Sequence, residues 1–437
     1  MIDLPSAAQF SIDVLFTAVI VALLTYATFY YATAFGTLLL HKQTPPARPL
    51  SRFPSVSVIL PMHNEELIVA STLQAISVTD YPSSKLEVIV VDDASTDDTA
   101  RMLDGYVGSF PFSFKVLHRD SKLGRGKAGA VNDGILASAG DVVVIFDGDH
   151  RPEPQCIKRL VARLEESGPR VGAVQGRTVY INEDENFITK VVSKVRDAGF
   201  MVYLEASAAF GLPIYAAGST TAFRREVFKE IGLFTDGCVT EDTDLSTRLY
   251  LHGLRVIPEV SAKSYEEAVN KFSAIRRRTY RWARGHDGVL FKYWREVARS
   301  KYLSRKDKLY LELYLAYYAI PALTMMGMAI YAVSFFVPLH AFLIDWPGNS
   351  WLAFSAFYFA YCFLAIPTFY AVGIYLTKRP FRDLYFIGFH ILNAFVDVWV
   401  CTKAFIDEVL GREYVWAKTP RSGVITKKER MDWLKQT

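Results

Sequence analysis

The sequence predicts an α/β domain with a mostly parallel sheet, cytoplasmic and flanked by transmembrane helices. Three observations predict it. Apolar runs near both ends of the chain are long enough to cross a bilayer. The stretch between them, residues 53–308, mixes charged, Gly/Asp-rich and short apolar segments, with nothing long enough to span. Within that stretch, short buried-type strands flank an amphipathic helical pattern. At 51% apolar and 14% aromatic, the 437 residues are too hydrophobic for a disordered chain. Lys+Arg 49 against Asp+Glu 45 leaves a net charge of +4, so no basic field argues for a nucleic-acid partner. Cys156, Cys238, Cys362 and Cys401 stand far apart with no C-x-x-C pair and read as free thiols.

Residues 14–40 carry no charged side chain, and at ~1.5 Å per residue they exceed the ~30 Å hydrocarbon core. The leading residues 1–13 hold no Lys or Arg, whereas His41, Lys42, Arg48 and Arg52 follow the run, which argues against a cleaved signal peptide. The same asymmetry places the domain after Lys42 in the cytoplasm, and the membrane expected is the plasma membrane. Residues 313–339, 351–376 and 384–405 are three further candidate spans, with Lys378, Arg379 and Arg382 in the turn before the last. Four full crossings would put the tail outside, yet it carries Arg412, Lys418, Arg421, Lys427, Lys428 and Arg430. Either the last segment, which holds Asp397 and ends at Asp407 and Glu408, is not a simple crossing, or the tail is an exception. The division expected is an N-terminal transmembrane helix (1–42), a sheet domain (53–270), amphipathic interface helices (271–308), a bundle of about three helices (309–410) and a basic tail (411–437).

Residues 56–60 (VSVIL) and 86–91 (LEVIVV) are short apolar strands separated by an amphipathic helical stretch, 65–76, which opens a parallel α/β sheet. Residues 142–146 (VVVIF) form a third strand. All three end in polar or acidic clusters: Asn64 and Glu65, Asp92 and Asp93, Asp147 and Asp149. Ligands bind outside the carboxyl ends of such strands, and carboxylates one residue apart can hold Mg²⁺ or Mn²⁺ shared with substrate phosphates. A single Asp-rich strand end is more often a turn former, but three at one edge are not. Strand alternation sets His150 on the face opposite Asp149. The segment 122–132 (KLGRGKAGAVN) offers backbone amides and Lys127 to a diphosphate; it lacks P-loop spacing, and no G-x-G-x-x-G follows the first strand.

Further on, Thr240-Glu241-Asp242-Thr243-Asp244 reads both as a helix start and as a source of a general base for an acceptor hydroxyl. The run 276–282 (RRRTYRW) reads either as a clamp for phosphates with a sugar-stacking aromatic or as a basic surface helix. Cys238 and His390 read as buried side chains rather than ligands.

These residues, in this order, resemble the membrane-integrated family-2 glycosyltransferases, such as cellulose, chitin, hyaluronan and poly-N-acetylglucosamine synthases and ceramide glucosyltransferases. The motifs are Pro61-x-x-Asn64-Glu65, Asp92-Asp93, Lys127-Ala128-Gly129, Asp147-x-Asp149, Gly218-Ser219, Thr240-Glu241-Asp242 and Arg278-x-x-Arg281-Trp282, with Trp416-x-Lys418-Thr419 in the tail. The resemblance implies a GT-A fold and an inverting, metal-dependent transfer from a nucleotide-diphosphate sugar, a UDP-sugar favoured. It implies a donor pocket of Pro61, Asn64, Glu65, Asp93, Lys127, Asp147, Arg278 and Arg281, with Asp93 on the base and Arg281 on the diphosphate. It implies that Asp149, supported by Asp147, would hold Mg²⁺ or Mn²⁺. By the same resemblance Asp242, beside Glu241, would be the catalytic base, and Trp282, Gly218 and Ser219 would meet the acceptor. Polymerising members usually have Gln where this chain has Arg278, which puts processivity in question.

The expected function is extension of a β-linked polysaccharide at the lipid bilayer, with possible coupling to translocation. The alternative is transfer of one sugar to a glycolipid acceptor such as ceramide or diacylglycerol, and a third reading is a non-catalytic nucleotide-binding membrane protein. For a channel, Tyr314, Tyr317, Tyr358, Asn393 and Asp397 are the residues expected to face a moving glycan.

Overall fold

The computed structural model describes residues 6–40, 45, 47–120, 126–334, 336–337, 339–344, 346–347 and 349–414. Lys42, Lys122 and the tail motif at Trp416 and Lys418 lie outside the described residues. The helices are α1 (Ser6–Leu40), α2 (Val69–Ser77), α3 (Thr99–Asp104), α4 (Gly126–Leu136), α5 (Cys156–Glu166), α6 (Phe187–Phe210), α7 (Arg225–Ile231), α8 (Glu241–Leu251), α9 (Phe272–Arg299), α10 (Arg305–Leu315), α11 (Ile320–Val333), α12 (Ser350–Leu376) and α13 (Tyr385–Val409). The strands are β1 (Val56–Met62), β2 (Leu86–Asp92), β3 (Ser113–His118), β4 (Val142–Ile145), β5 (Arg151–Pro152), β6 (Val171–Tyr180), β7 (Thr221–Arg224) and β8 (Arg255–Glu266).

The strands form one sheet in the order β3-β2-β1-β4-β7-β6-β8-β5. Pairs β1–β2, β1–β4, β2–β3 and β6–β8 are parallel; β4–β7, β6–β7 and β5–β8 are antiparallel. Side chains on β1 alternate between two apolar layers. Val56, Val58, Leu60 and Met62 pack with Val69, Leu73 and Ile76 of α2 and with Ile157 and Leu160 of α5. Ile59 packs the other way, with Val131 and Ile135 of α4 and Leu245 and Leu249 of α8. Burial on both faces explains why β1, β2 and β4 read as unbroken apolar runs. Each such Val, Leu or Ile contributes roughly 1.5–3 kcal/mol.

The register sets the site. Met62 lies beside Asp92, Asp92 beside His118, and Ile59 beside Ile145, so β1 to β4 finish at one edge. The residues just past those ends, Glu65, Asp93, Arg119 and Asp147, therefore converge.

By length and composition three helices among the described residues can cross a membrane: Ala7–Leu40, Ser350–Leu376 and Phe381–Val409. The single span expected over 313–339 is not there. Residues 305–318 and 320–333 are helices bent by 68° to one another, and a fourth crossing results only if that pair counts as one. Pro321 stands in the first turn of α11, where a proline is tolerated because its missing N–H would be unpaired anyway; inside a continuous helix its ring would clash with the carbonyl four residues back.

The last apolar helix, α13, is tied at both ends, to α6 of the sheet domain and to the interface helix α9. At its start, Lys194 on α6 pairs with Asp383 at 2.5 Å, and Arg379 bridges Glu183 (3.0 Å) and Asp197 (3.1 Å). At its far end, Tyr280 Oη donates to Asp407 (2.6 Å) and Arg284 on α9 pairs with Glu408 (2.7 Å). The α6–α12 seam is close: a Cβ on Gly373 would lie 2.3 Å from Ala198 O, so only glycine fits.

Candidate active site

β4 stops at Ile145, and Asp147 to Asp149 form a turn. The Asp147 N–H donates to Ser219 Oγ (2.9 Å), and the His150 N–H donates to Asp147 O (2.9 Å). The turn overturns the expectation for His150, because strand alternation has no hold outside a strand. One ligand atom from each of Asp147, Asp149 and His150 lies within 4.8 Å of the others. His150 Nδ1 is 2.8 Å from the Ser264 hydroxyl on β8, which aims Nε2 at Asp147 (3.9 Å) and Glu266 (3.8 Å). Two carboxylates and an imidazole fit a divalent cation that shares phosphate oxygens with a substrate.

Across the cleft, α8 begins at Glu241, as the helix-start reading expects, though Thr240 makes no capping bond. Of its three acidic side chains, Asp244 is fully buried and consumed by Lys292 (2.7 Å), Tyr293 (2.9 Å), Thr235 (2.7 Å) and Arg248 (2.9 Å). Glu241 and Asp242 line the cleft instead. Lys127 on α4 bridges the two sides: its Nζ lies 2.6 Å from Asp147 and 3.2 Å from Glu241, and donates to Gly218 O (3.0 Å). Burial opposes the Lys127 charge, but the Asp147 and Glu241 carboxylates outweigh it and hold the ammonium protonated. Burial, with Glu241 adding to it against Lys127, pushes Asp242 up to about 7. A carboxylate poised there can take a proton near neutral pH. Gly218 sits at φ +70°, where a Cβ would lie 3.0 Å from both Asp242 Oδ2 and Lys127 Nζ, so the position needs glycine for conformation and for space.

At the β1–β2 end, Pro61, Glu65 and Asp93 line the same cleft. Asn64 does not. Its Oδ1 accepts from the Thr96 N–H (2.7 Å), bracing the β1 and β2 loops at φ +54°. Asp93 is ion-paired to Arg119, which also holds Asp133 (2.8 Å). The sequence reading missed Arg119. The available signal was its position one residue beyond a strand parallel to β2.

From α9, Arg278, Arg281 and Trp282 face the cleft. Guanidinium groups lie near the Trp282 ring, Arg278 at 4.8 Å and Arg196 at 5.8 Å, and Arg278 donates to Tyr180 Oη (2.9 Å). The cavity, about 1070 Å³, continues from these residues into the helices. Of the residues expected to face a glycan, Tyr314, Tyr317, Asn393 and Asp397 line it; Tyr358 instead stacks on Phe354. Cys238 and His390, half-buried, also line the wall of the cleft. Burial pushes the Cys238 thiol up to about 12, and His390 packs against Tyr370 at 4.5 Å.

The family model described as Glycosyltransferase like family 2 matches residues 54–285, more than half of the chain. The chain belongs to glycosyltransferase family 2. This family-2 member is 26% identical over 381 residues to the probable glycosyltransferase YdaM of Bacillus subtilis, over 85% of its own length and 88% of that protein. It is 30% identical over 247 residues to a β-monoglucosyldiacylglycerol synthase of Synechocystis (56% of this chain, 50% of the other). It is 29% identical over 268 residues to glucomannan 4-β-mannosyltransferase 2 of Arabidopsis thaliana (60% and 50%). It thus spans about half the length of those two relatives. The mannosyltransferase PcManGT from Pyrobaculum calidifontis, solved with GDP-Man and Mn²⁺, matches with a TM-score of 0.63 at 23% identity, over 92% of this chain and 100% of that one. The family match and this likeness identify the sheet domain as a GT-A fold.

Proposed function

We propose that this glycosyltransferase moves one sugar from a nucleoside-diphosphate sugar to a hydroxyl of a membrane-lipid acceptor, inverting the anomeric carbon. The observation that carries the lipid acceptor is the blind inner end of the cleft. On α1 its wall runs from Thr33 to Tyr26, roughly 10–20 Å before Leu40 at ~1.5 Å per residue, and stops. Among the described residues none of α11 lines it. Beyond, Phe16 and Ile20 pack with Tyr331, Ala341, Trp351 and Phe354. A polymer leaving through the bundle needs a path that this packing fills, whereas a lipid headgroup needs only the inner half.

In this reading Asp242 takes the acceptor proton as the acceptor oxygen attacks the anomeric carbon, and the bond to the diphosphate breaks with its electrons leaving on the diphosphate. Glu241 sets the Asp242 proton affinity, and Lys127 and Arg281 offset the charge on the departing group. Asp93, Pro61 and Glu65 hold the base, with Asn64 bracing them. Asp147, Asp149 and His150 would hold Mg²⁺ or Mn²⁺, which when bound neutralises the diphosphate. Trp282, with Gly218 and Ser219 behind the base, bounds the acceptor side. The sheet domain lies in the cytoplasm, on the side where Arg52, Arg379 and Arg382 gather.

Extension of a polysaccharide is the second reading, favoured by the Trp282 platform, on which a sugar ring can stack. The test is the full chain in detergent with Mg²⁺ or Mn²⁺, a panel of UDP- and GDP-sugars, and diacylglycerol, ceramide or oligosaccharide acceptors. A single-sugar lipid adduct is expected. A long glycan would replace this reading with the second.

A further inference from the structure

The helix end of the cleft carries polar atoms that nothing among the described residues satisfies. Asn393 Nδ2 donates to Asp397 Oδ2 (2.7 Å), which fixes the amide and leaves Asn393 Oδ1 and Asp397 Oδ1 as acceptors. Both oxygens are shut off from solvent and have no hydrogen-bond partner. So are two atoms on α9, Arg278 Nε and His286 Nδ1. All four residues line the one cavity, among Tyr317, Tyr318 and Tyr370. Buried polar atoms cost free energy unless partnered, and such atoms are rare in folded proteins. Polar residues at membrane depth that face a cavity mark substrate pathways.

The chemistry of the four atoms narrows the partner. Two carbonyl-type oxygens need donors and the Arg278 Nε–H needs an acceptor. Burial lowers His286 to about 4, so its ring is neutral and either gives or takes one hydrogen bond. Arg278 is the cation that faces Asp397 across the space. A group that both donates and accepts, at several adjacent positions, is a polyol.

We infer that Asn393 and Asp397, facing Arg278 and His286, form a hydroxyl-recognising subsite that grips the acceptor's polyol on the membrane side of Trp282. It rests on the acceptor-transfer reading above and adds what holds the acceptor. The polyol is either the sugar of a glycolipid headgroup or the terminal sugar of a glycan.

The experiment compares wild type with Asn393→Leu/Asp397→Leu, using two probes: a short-chain glucosyl-diacylglycerol and a β-1,4-linked gluco-oligosaccharide. The double variant removes unsatisfied buried atoms but also the carboxylate facing Arg278, so its thermal midpoint is compared with wild type and with Asp397→Asn to establish that it is folded. Acceptor KM should rise at least tenfold with donor KM held within twofold, and Asp397→Asn should recover part of the loss. Deoxy versions of the preferred probe should weaken wild type about tenfold per hydroxyl removed and the double variant hardly at all. Where no transfer occurs, tryptophan fluorescence reads acceptor binding directly and the same comparison applies. Unchanged affinity for both probes in a folded double variant overturns the subsite. If wild type ignores the lipid but uses the oligosaccharide, the lipid reading falls while the oligosaccharide series still decides the subsite.

Discussion

The cleft has two ends that treat polar groups in opposite ways. At the sheet edge the charges answer one another: Lys127 spans Asp147 and Glu241, Arg119 spans Asp93 and Asp133, and Asp244 has four partners. At the helix end Asn393 bonds Asp397 inside an aromatic wall, and among the described residues the second oxygen of each has no hydrogen-bond partner. The difference teaches where preorganisation lies. The sheet edge is set before a substrate arrives, as stabilising a charged transition state requires. The helix end is left open, where an incoming group supplies the missing bonds.

The sharpest break of this contrast is at the base. Asp242→Asn should lower turnover by about 10²- to 10⁴-fold while donor binding stays within about threefold, measured as nucleoside diphosphate released against donor titration. Substantial residual activity would move the base elsewhere. Next, Asp149→Ala should weaken donor affinity by about 10- to 100-fold and flatten its dependence on Mg²⁺ or Mn²⁺; unchanged binding curves would remove Asp149 from the metal site. Gly218→Ala, which forces a Cβ against Asp242 and Lys127 in a left-handed backbone, should cost about tenfold in kcat. A wild-type rate would mean that the Lys127–Asp242 spacing can open freely.

The smallest effect is the most specific. With Asp242 at about 7, kcat/KM should fall about tenfold per pH unit below that value and level off above it. After burial, Glu241 is the charge that raises Asp242 most, ahead of Asp147, so Glu241→Gln should move the acid limb to lower pH. A shift to higher pH, or none, would show that Glu241 does not set the base.

Much of the sheet edge was legible because parallel strands bury both faces and end level: VSVIL, LEVIVV and VVVIF could be aligned by their apolar runs and their acidic ends read as one cluster. Arg119 escaped because β3 is an edge strand whose side chains are partly or fully exposed, so no apolar run announced it. His150 escaped because the backbone turns one step after the strand stops, and sequence period does not show where a strand stops. The helices were harder. Hydropathy counts apolar side chains, and it passed over Pro321, which breaks the span it sits in. Nor does it register ion pairs formed far along the chain, such as Lys194 with Asp383. Tyr358 and Tyr317 look alike in sequence; only packing separates the ring that closes the bundle from the one that lines the cleft.

The double attachment of α13 has a consequence of parity. Were α13, held at both ends, to add nothing to the count of passages, then α1, the bent α10–α11 pair and α12 would set an odd number. The chain would then come back at Arg412, itself bonded to Asp407 (2.7 Å), on the face where the sheet domain sits. On that face Arg412 would meet anionic headgroups, which is where an odd count would leave it.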